Sequence, residues 1–104
     1  MFCTATYIKR DVKFIPGKSP NRRLVITLVN PVTYEPEAKA TVNVPEAELS
    51  EDEIIIKDWS ENEGMLEFFL DNGLAIDTGR TVGTGQVIAS VVKITDKLRA
   101  ELGI

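Results

Sequence analysis

"WSENEGMLEFFLDNG", Trp59 to Gly73, is the stretch whose reading decides the fold. It carries a helix start, a helical period and a helix stop. Ser60 and Glu63 stand at capping-box spacing, so each side chain can reach the other's backbone amide. Glu61 and Glu63 suit the positive end of a helix dipole. Met65, Leu66, Phe69 and Leu70 recur at helical spacing. Gly73, after Asp71-Asn72, supplies a left-handed terminator. The spacing predicts a three-turn helix over Glu61 to Asn72, with its apolar side on a sheet. Gly64 weakens such a helix by ~1 kcal/mol and points to a close approach to a strand.

Outward from the helix, the chain reads as strands. "TATYIK" and "VKFI" flank Arg10-Asp11, and "PGKSPNRR" reads as a loop. "LVITLVN" alternates Leu24, Ile26, Leu28 against Val25, Thr27, Val29, and Pro31 ends it. "AKATVNV" places Ala38, Ala40, Val42, Val44 inward and Lys39, Thr41, Asn43 outward. "PEAELSED" is an acidic loop or a single turn, and "EIIIKDW" a β-branched strand. "QVIASVVKI" is apolar on both faces, which predicts a central strand covered on both sides. "TDKLRAELG" predicts a short C-terminal helix capped by Thr95 and ended by Gly103. The expected fold is α+β, in the order β-β-β-β-α-β-α. It has a mostly antiparallel sheet of about five strands, with one main helix on one face and a short C-terminal helix.

A chain of 104 residues suits one domain. A domain of this size buries ~65% of its unfolded surface and needs no disulfide or metal to fold. Cys3 is the single cysteine, and it reads as a small core residue. No apolar run reaches the ~20 residues of a membrane span, and "MFCTATYIKRDVK" lacks the layout of a signal peptide. The expectation is a cytoplasmic protein with no membrane association.

Histidine is absent. With one cysteine besides, a zinc site and a Ser–His or Cys–His nucleophile pair are excluded within one chain. No catalytic residue, metal ligand or cofactor site is readable, and enzymatic activity is not expected.

Charge is uneven. Met1 to Arg23 carries six bases against Asp11, a net of +5; Glu35 to Asp77 carries thirteen acids against Lys39 and Lys57, a net of −11. The acidic stretch is either a solvated face or a surface for a basic protein partner, such as a host nucleic-acid-binding protein. Glu51, Asp52, Glu53, Asp58, Glu61 and Glu63 are its candidate contact residues. Direct nucleic-acid binding is not expected, because the basic "TYIKRDVKF" lacks paired exposed aromatics. Trp59 is expected against the first turn of the helix.

"DTGRTVGTGQ", Asp77 to Gln86, holds three glycines but no Gly-Lys pair, and it follows a helix instead of opening one. It reads as a helix-to-strand connection with tight turns. The alternative is a small anionic-ligand or nucleotide site, built from Arg80 with the backbone around Thr81, Gly83 and Gly85.

"IIIKDWSENEGMLEFFLDNGLAIDTGRTVGTG", Ile54 to Gly85, resembles an uncharacterised family of small proteins from Gram-positive bacteria, their plasmids and phages. The shared pattern is Lys57-Asp58-Trp59-Ser60-Glu61-Asn62-Glu63-Gly64, Leu66 and Thr78-Gly79-Arg80, with "ATVNVPEAELSEDE" upstream. The resemblance covers about half the chain and carries no activity or catalytic residue. It implies a mobile-element or phage setting, in which small acidic proteins act by binding host machinery. The function expected is therefore a non-enzymatic binding protein acting on a protein partner.

Overall fold

Eight strands and two α-helices form, and this computed structural model describes every residue from Met1 to Ile104. The first five strands are β1 (Phe2–Cys3), β2 (Arg10–Asp11), β3 (Lys13–Lys18), β4 (Leu24–Val29) and β5 (Pro36–Lys39). Then come β6 (Glu53–Ile55), a 3-10 turn at Ser60–Asn62, α1 (Met65–Asp71), β7 (Ala75–Gly83), β8 (Ile88–Ile94) and α2 (Asp96–Leu102). The class is α+β with antiparallel pairing throughout, as expected.

The single five-stranded sheet is not formed. The strands make three small sheets, ordered β1-β2, β3-β4-β5 and β6-β8-β7. The reason lies in "AKATVNV". Its alternation breaks at Ala40-Thr41, where consecutive residues are both buried. Ala40 still donates to Ile26 O (2.9 Å), but Thr41 forms an isolated bridge with Ile56, and Val42 donates to Ile55 O (3.0 Å). One segment thus leaves the first three-stranded sheet and joins the edge of the second. Thr41 spends its hydroxyl on the seam, accepting from the Ile26 amide at 3.3 Å.

The expected Glu61–Asn72 helix is shorter at its start. Ser60 takes a left-handed φ of 55° and Gly64 one of 91°, so the helix restarts after Gly64. No side chain at Ser60 or Gly64 caps it. The capping box fails because its groups are recruited elsewhere. The Glu63 amide donates to the Ser60 carbonyl (3.1 Å), closing the 3-10 turn, so it is not free for the Ser60 hydroxyl. The cap comes from Asp58, whose Oδ1 accepts from the Leu66 amide at 2.9 Å. The C-terminal reading holds: Gly73 has φ 67°. In α2, Thr95 accepts from the Leu98 amide and Gly103 is left-handed, as expected.

Gly64 does mark a close approach, against a turn instead of a strand. A Cβ there would lie 3.2 Å from Ala5 Cα and 3.3 Å from the Thr6 nitrogen. "TATYIK" is accordingly a turn, closed by Ile8 donating to Ala5 O, and the strands lie on either side of it, at Phe2–Cys3 and at Arg10–Asp11. Asp77–Gln86 is likewise no connection: most of it is β7. A register shift between Asp77 and Thr81 lets this strand bulge around Gly79.

The core lies between the sheets and the helices. Phe14 from β3 stacks on Phe68 (6.2 Å between ring centres) and meets Phe69 edge-on (6.0 Å). All three rings are fully buried, a gain of about 1.5–3 kcal/mol each. β8 is central in its sheet and covered on both faces, as its composition predicts. Val92 and Ile94 face the main core, while Ala89 and Val91 join Ile55 in a second apolar cluster beneath the acidic loop.

The capping geometry yields a discriminating pair. Asp58→Ala should cost about 1 kcal/mol, a normal cap loss, and Ser60→Ala should show no cap loss in urea denaturation. Cys3 gives a second test. It is wholly buried, and desolvation raises its thiol pKa, against a smaller opposing hydrogen bond from the Ala5 backbone. The unfolded chain ionises first, near ~8.5, so this contribution is present below that pH and lost as pH rises. Urea midpoints from pH 7 to 10 should fall more steeply for the native chain than for Cys3→Ala.

Candidate functional site

The seam between the two three-stranded sheets is the floor of the largest concavity, a groove of 690 Å³. The β3–β4 turn forms one wall, with Lys18, Ser19 and Arg23. The seam supplies Lys39, Thr41, Val42 and Asn43. Lys57 and Trp59 follow from the chain after β6, and Thr84 and Gln86 from the β7–β8 turn. Four cations, Lys18, Arg23, Lys39 and Lys57, line it against one acid, Glu53. In a chain of net charge −4 this is a local inversion of sign.

The cations differ in freedom. Arg23 donates to Val44 O (2.6 Å) and to Ala47 O, holding the acidic loop down. Lys57 pairs with Glu61, and the hydrogen bond from Lys57 holds the Glu61 carboxyl below its ordinary pKa. Lys18 and Lys39 are exposed and have no partner in the chain.

Asn62 organises this site. It is 1% exposed, and its Nδ2 donates to Lys39 O (2.7 Å) and to Lys57 O (3.2 Å). Its own amide donates to Trp59 O (3.0 Å), so one residue fixes the backbone of three groove residues. Trp59 leaves the helix, contrary to expectation, and packs against the second apolar cluster while lining the groove.

The six acidic candidates are divided. Asp52 pairs with Lys93 (3.4 Å), Glu53 with Arg80 (3.4 Å), and Asp58 caps α1. Glu61 is held by Lys57, while Glu51 and Glu63 are exposed and unpaired. Glu51 and Glu53 border a basic depression with Arg22, Arg23 and Arg99. Asp58 and Glu63 line a separate one of 370 Å³ with Glu67 and Asp71. No cluster of acids has the form of a metal site.

Of the anion-site candidates, Arg80 faces the acidic loop. Its Nη2 donates to Glu48 O at 2.9 Å. Thr81 and Gly83 are paired in the β7–β8 ladder, and Gly85 (φ 96°) turns the hairpin. The glycine-rich stretch reaches the groove through Thr84 and Gln86 instead. Sequence reading missed Lys18, Lys39 and Asn62. The one signal available was "NVP…KDW…N", with Asn62 hidden inside an apparent capping box. No helix is long and apolar enough to cross a membrane.

Comparison of the chain with protein-family models, with curated proteins and with solved structures gives no match in any of the three.

Removing the organising amide tests this geometry. Asn62→Ala leaves the Lys39 and Lys57 carbonyls without this donor, and the loss of two hydrogen bonds should cost about 1–3 kcal/mol. It should also red-shift Trp59 emission, because Trp59 is the sole tryptophan and loses its backbone tether.

Proposed function

We propose that this is a non-enzymatic binding protein whose ligand is anionic and occupies the groove between the two three-stranded sheets. The observation that carries the reading is the groove's charge: four cations and one acid in a chain with more acids than bases. Lys18 and Lys39 supply charge that nothing in the chain neutralises. Asn43, Thr84 and Gln86 offer neutral donors and acceptors beside them. A concave site with charged and amide groups around an aromatic is a binding arrangement. The histidine-free lining holds no nucleophile paired with a base, so binding without turnover fits it best.

A basic protein partner is the second reading, and one observation favours it. Asp58, Glu63, Glu67 and Asp71 gather along α1, with Leu66 and Leu70 among them. The mobile-element setting implied by the resemblance fits either reading.

Inorganic tripolyphosphate separates the two. Lys18→Glu with Lys39→Glu should abolish its binding in calorimetry at low salt while the melting temperature stays nearly constant, since both lysines are exposed and unpaired. Retained binding would move the site elsewhere.

A further inference from the structure

We infer that the ligand of the groove is a single-stranded nucleic acid, an inference that rests on the anionic-ligand reading above. Three observations point past a small phosphate compound. The groove does not end at the β3–β4 turn. A second depression, of 540 Å³, shares Lys18, Arg23 and Glu53 with it and adds Arg22, Arg99 (paired with Asp96) and one acid, Glu51, so cations still outnumber acids along it. The cationic path is therefore longer than one nucleotide's phosphates require, and Arg22 is a third cation with no partner in the chain. Trp59 lines the first segment together with Lys18, Lys39 and Lys57, so an unstacked base can meet a ring while its phosphates meet the lysines.

Shape selects the single strand. A duplex is convex and ~20 Å across, and reading it needs a projecting helix or ribbon for a groove ~12 Å wide. Here the cations line a hollow in a domain only 36 × 28 × 25 Å overall. Exposed aromatics paired on a sheet face, which the sequence lacks, are not needed when one ring sits inside a charged channel. The acids along α1 line a depression that shares no residue with the groove. At ordinary salt, with a Debye length of ~10 Å, much of their repulsion is screened.

Fluorescence anisotropy with a 20-nucleotide oligothymidylate tests this on the intact chain, with Trp59 emission recorded in the same titration. The expected result is saturable binding with quenching of Trp59. Affinity should fall roughly 20-fold between 50 and 200 mM salt, the loss expected if three unpaired cations meet phosphates. Lys18→Glu with Lys39→Glu should remove both signals. Stronger binding of a 20-base-pair duplex, or equal competition by a polyglutamate peptide, would overturn the inference. So would tripolyphosphate binding through Lys18 and Lys39 with no oligothymidylate binding at 50 mM salt; the anionic-ligand reading would then stand. If neither probe binds, both readings fall.

Discussion

One buried amide holds the two halves of this domain in register. Asn62 donates to a carbonyl at the end of β5 and to another just after β6, and those strands belong to different sheets. The backbone seam beside it is short: Lys57 donates to Ala40 O, and Val42 to Ile55 O. Those two hydrogen bonds make up the isolated Thr41–Ile56 bridge, the only backbone ladder between two sheets that otherwise meet through the shared apolar core. The Asn62 side chain, itself buried, adds two part-buried links between them. Two consequences follow. The 3-10 turn that positions Asn62 displaces the start of α1 to Gly64. Lys39, Lys57 and Trp59 become neighbours although far apart in sequence.

Arginine placement explains why the acidic stretch folds down. The loop after β5 covers the outer face of β8 with Val44, Ala47 and Leu49. It has little regular structure, so its carbonyls need donors. Arg23, from the β3–β4 turn, supplies two, and Arg80, from the β7 bulge, supplies one while pairing with Glu53. The bulge has a local origin: Asp77 accepts from the Gly79 amide, and Thr78 accepts from that of Arg80. Thr78-Gly79-Arg80 thus acts as a device for aiming one guanidinium. The acids near it compensate those cations, which leaves the unpaired positive charge on the other side of Arg23, in the groove.

Much of the fold was legible where local chemistry and tertiary packing agree. The two-sided apolar run of β8, the alternation of β4 and the Thr95 and Gly103 caps of α2 all read directly. The failures share a cause: a side chain with a good local role took a distant one. Ser60 and Glu63 match a capping box, yet the Glu63 amide closes a 3-10 turn onto the Ser60 carbonyl and Asp58 reaches across to cap the helix. The alternation of Ala38 to Val44 looks regular, yet Thr41 is needed at the seam and turns inward. The glycines of Asp77–Gln86 suggested a loop, whereas a bulged strand uses Gly79 for the same left-handed backbone. The groove was the least legible feature. Its lysines come from β3, β5 and the chain after β6, and no periodicity or spacing links them.

Net charge is a poor guide to such a surface. An acidic average of −4 coexists with a hollow lined by four cations, because the acids near the hollow have partners already. Glu61 neutralises Lys57 at the rim, Glu53 is turned toward Arg80, and Asp52 toward Lys93. What remains unpaired is Lys18 and Lys39, from β3 and β5 of the same sheet, lining a groove whose geometry Asn62 sets. Charge left unpaired in a concave site is free to meet a ligand, whereas Arg23 and Arg80 are spent on the carbonyls of the acidic loop and hold it in place. The candidate surface of this domain is therefore found by subtracting the ion pairs that fold it, and not by counting the acids that dominate its sequence.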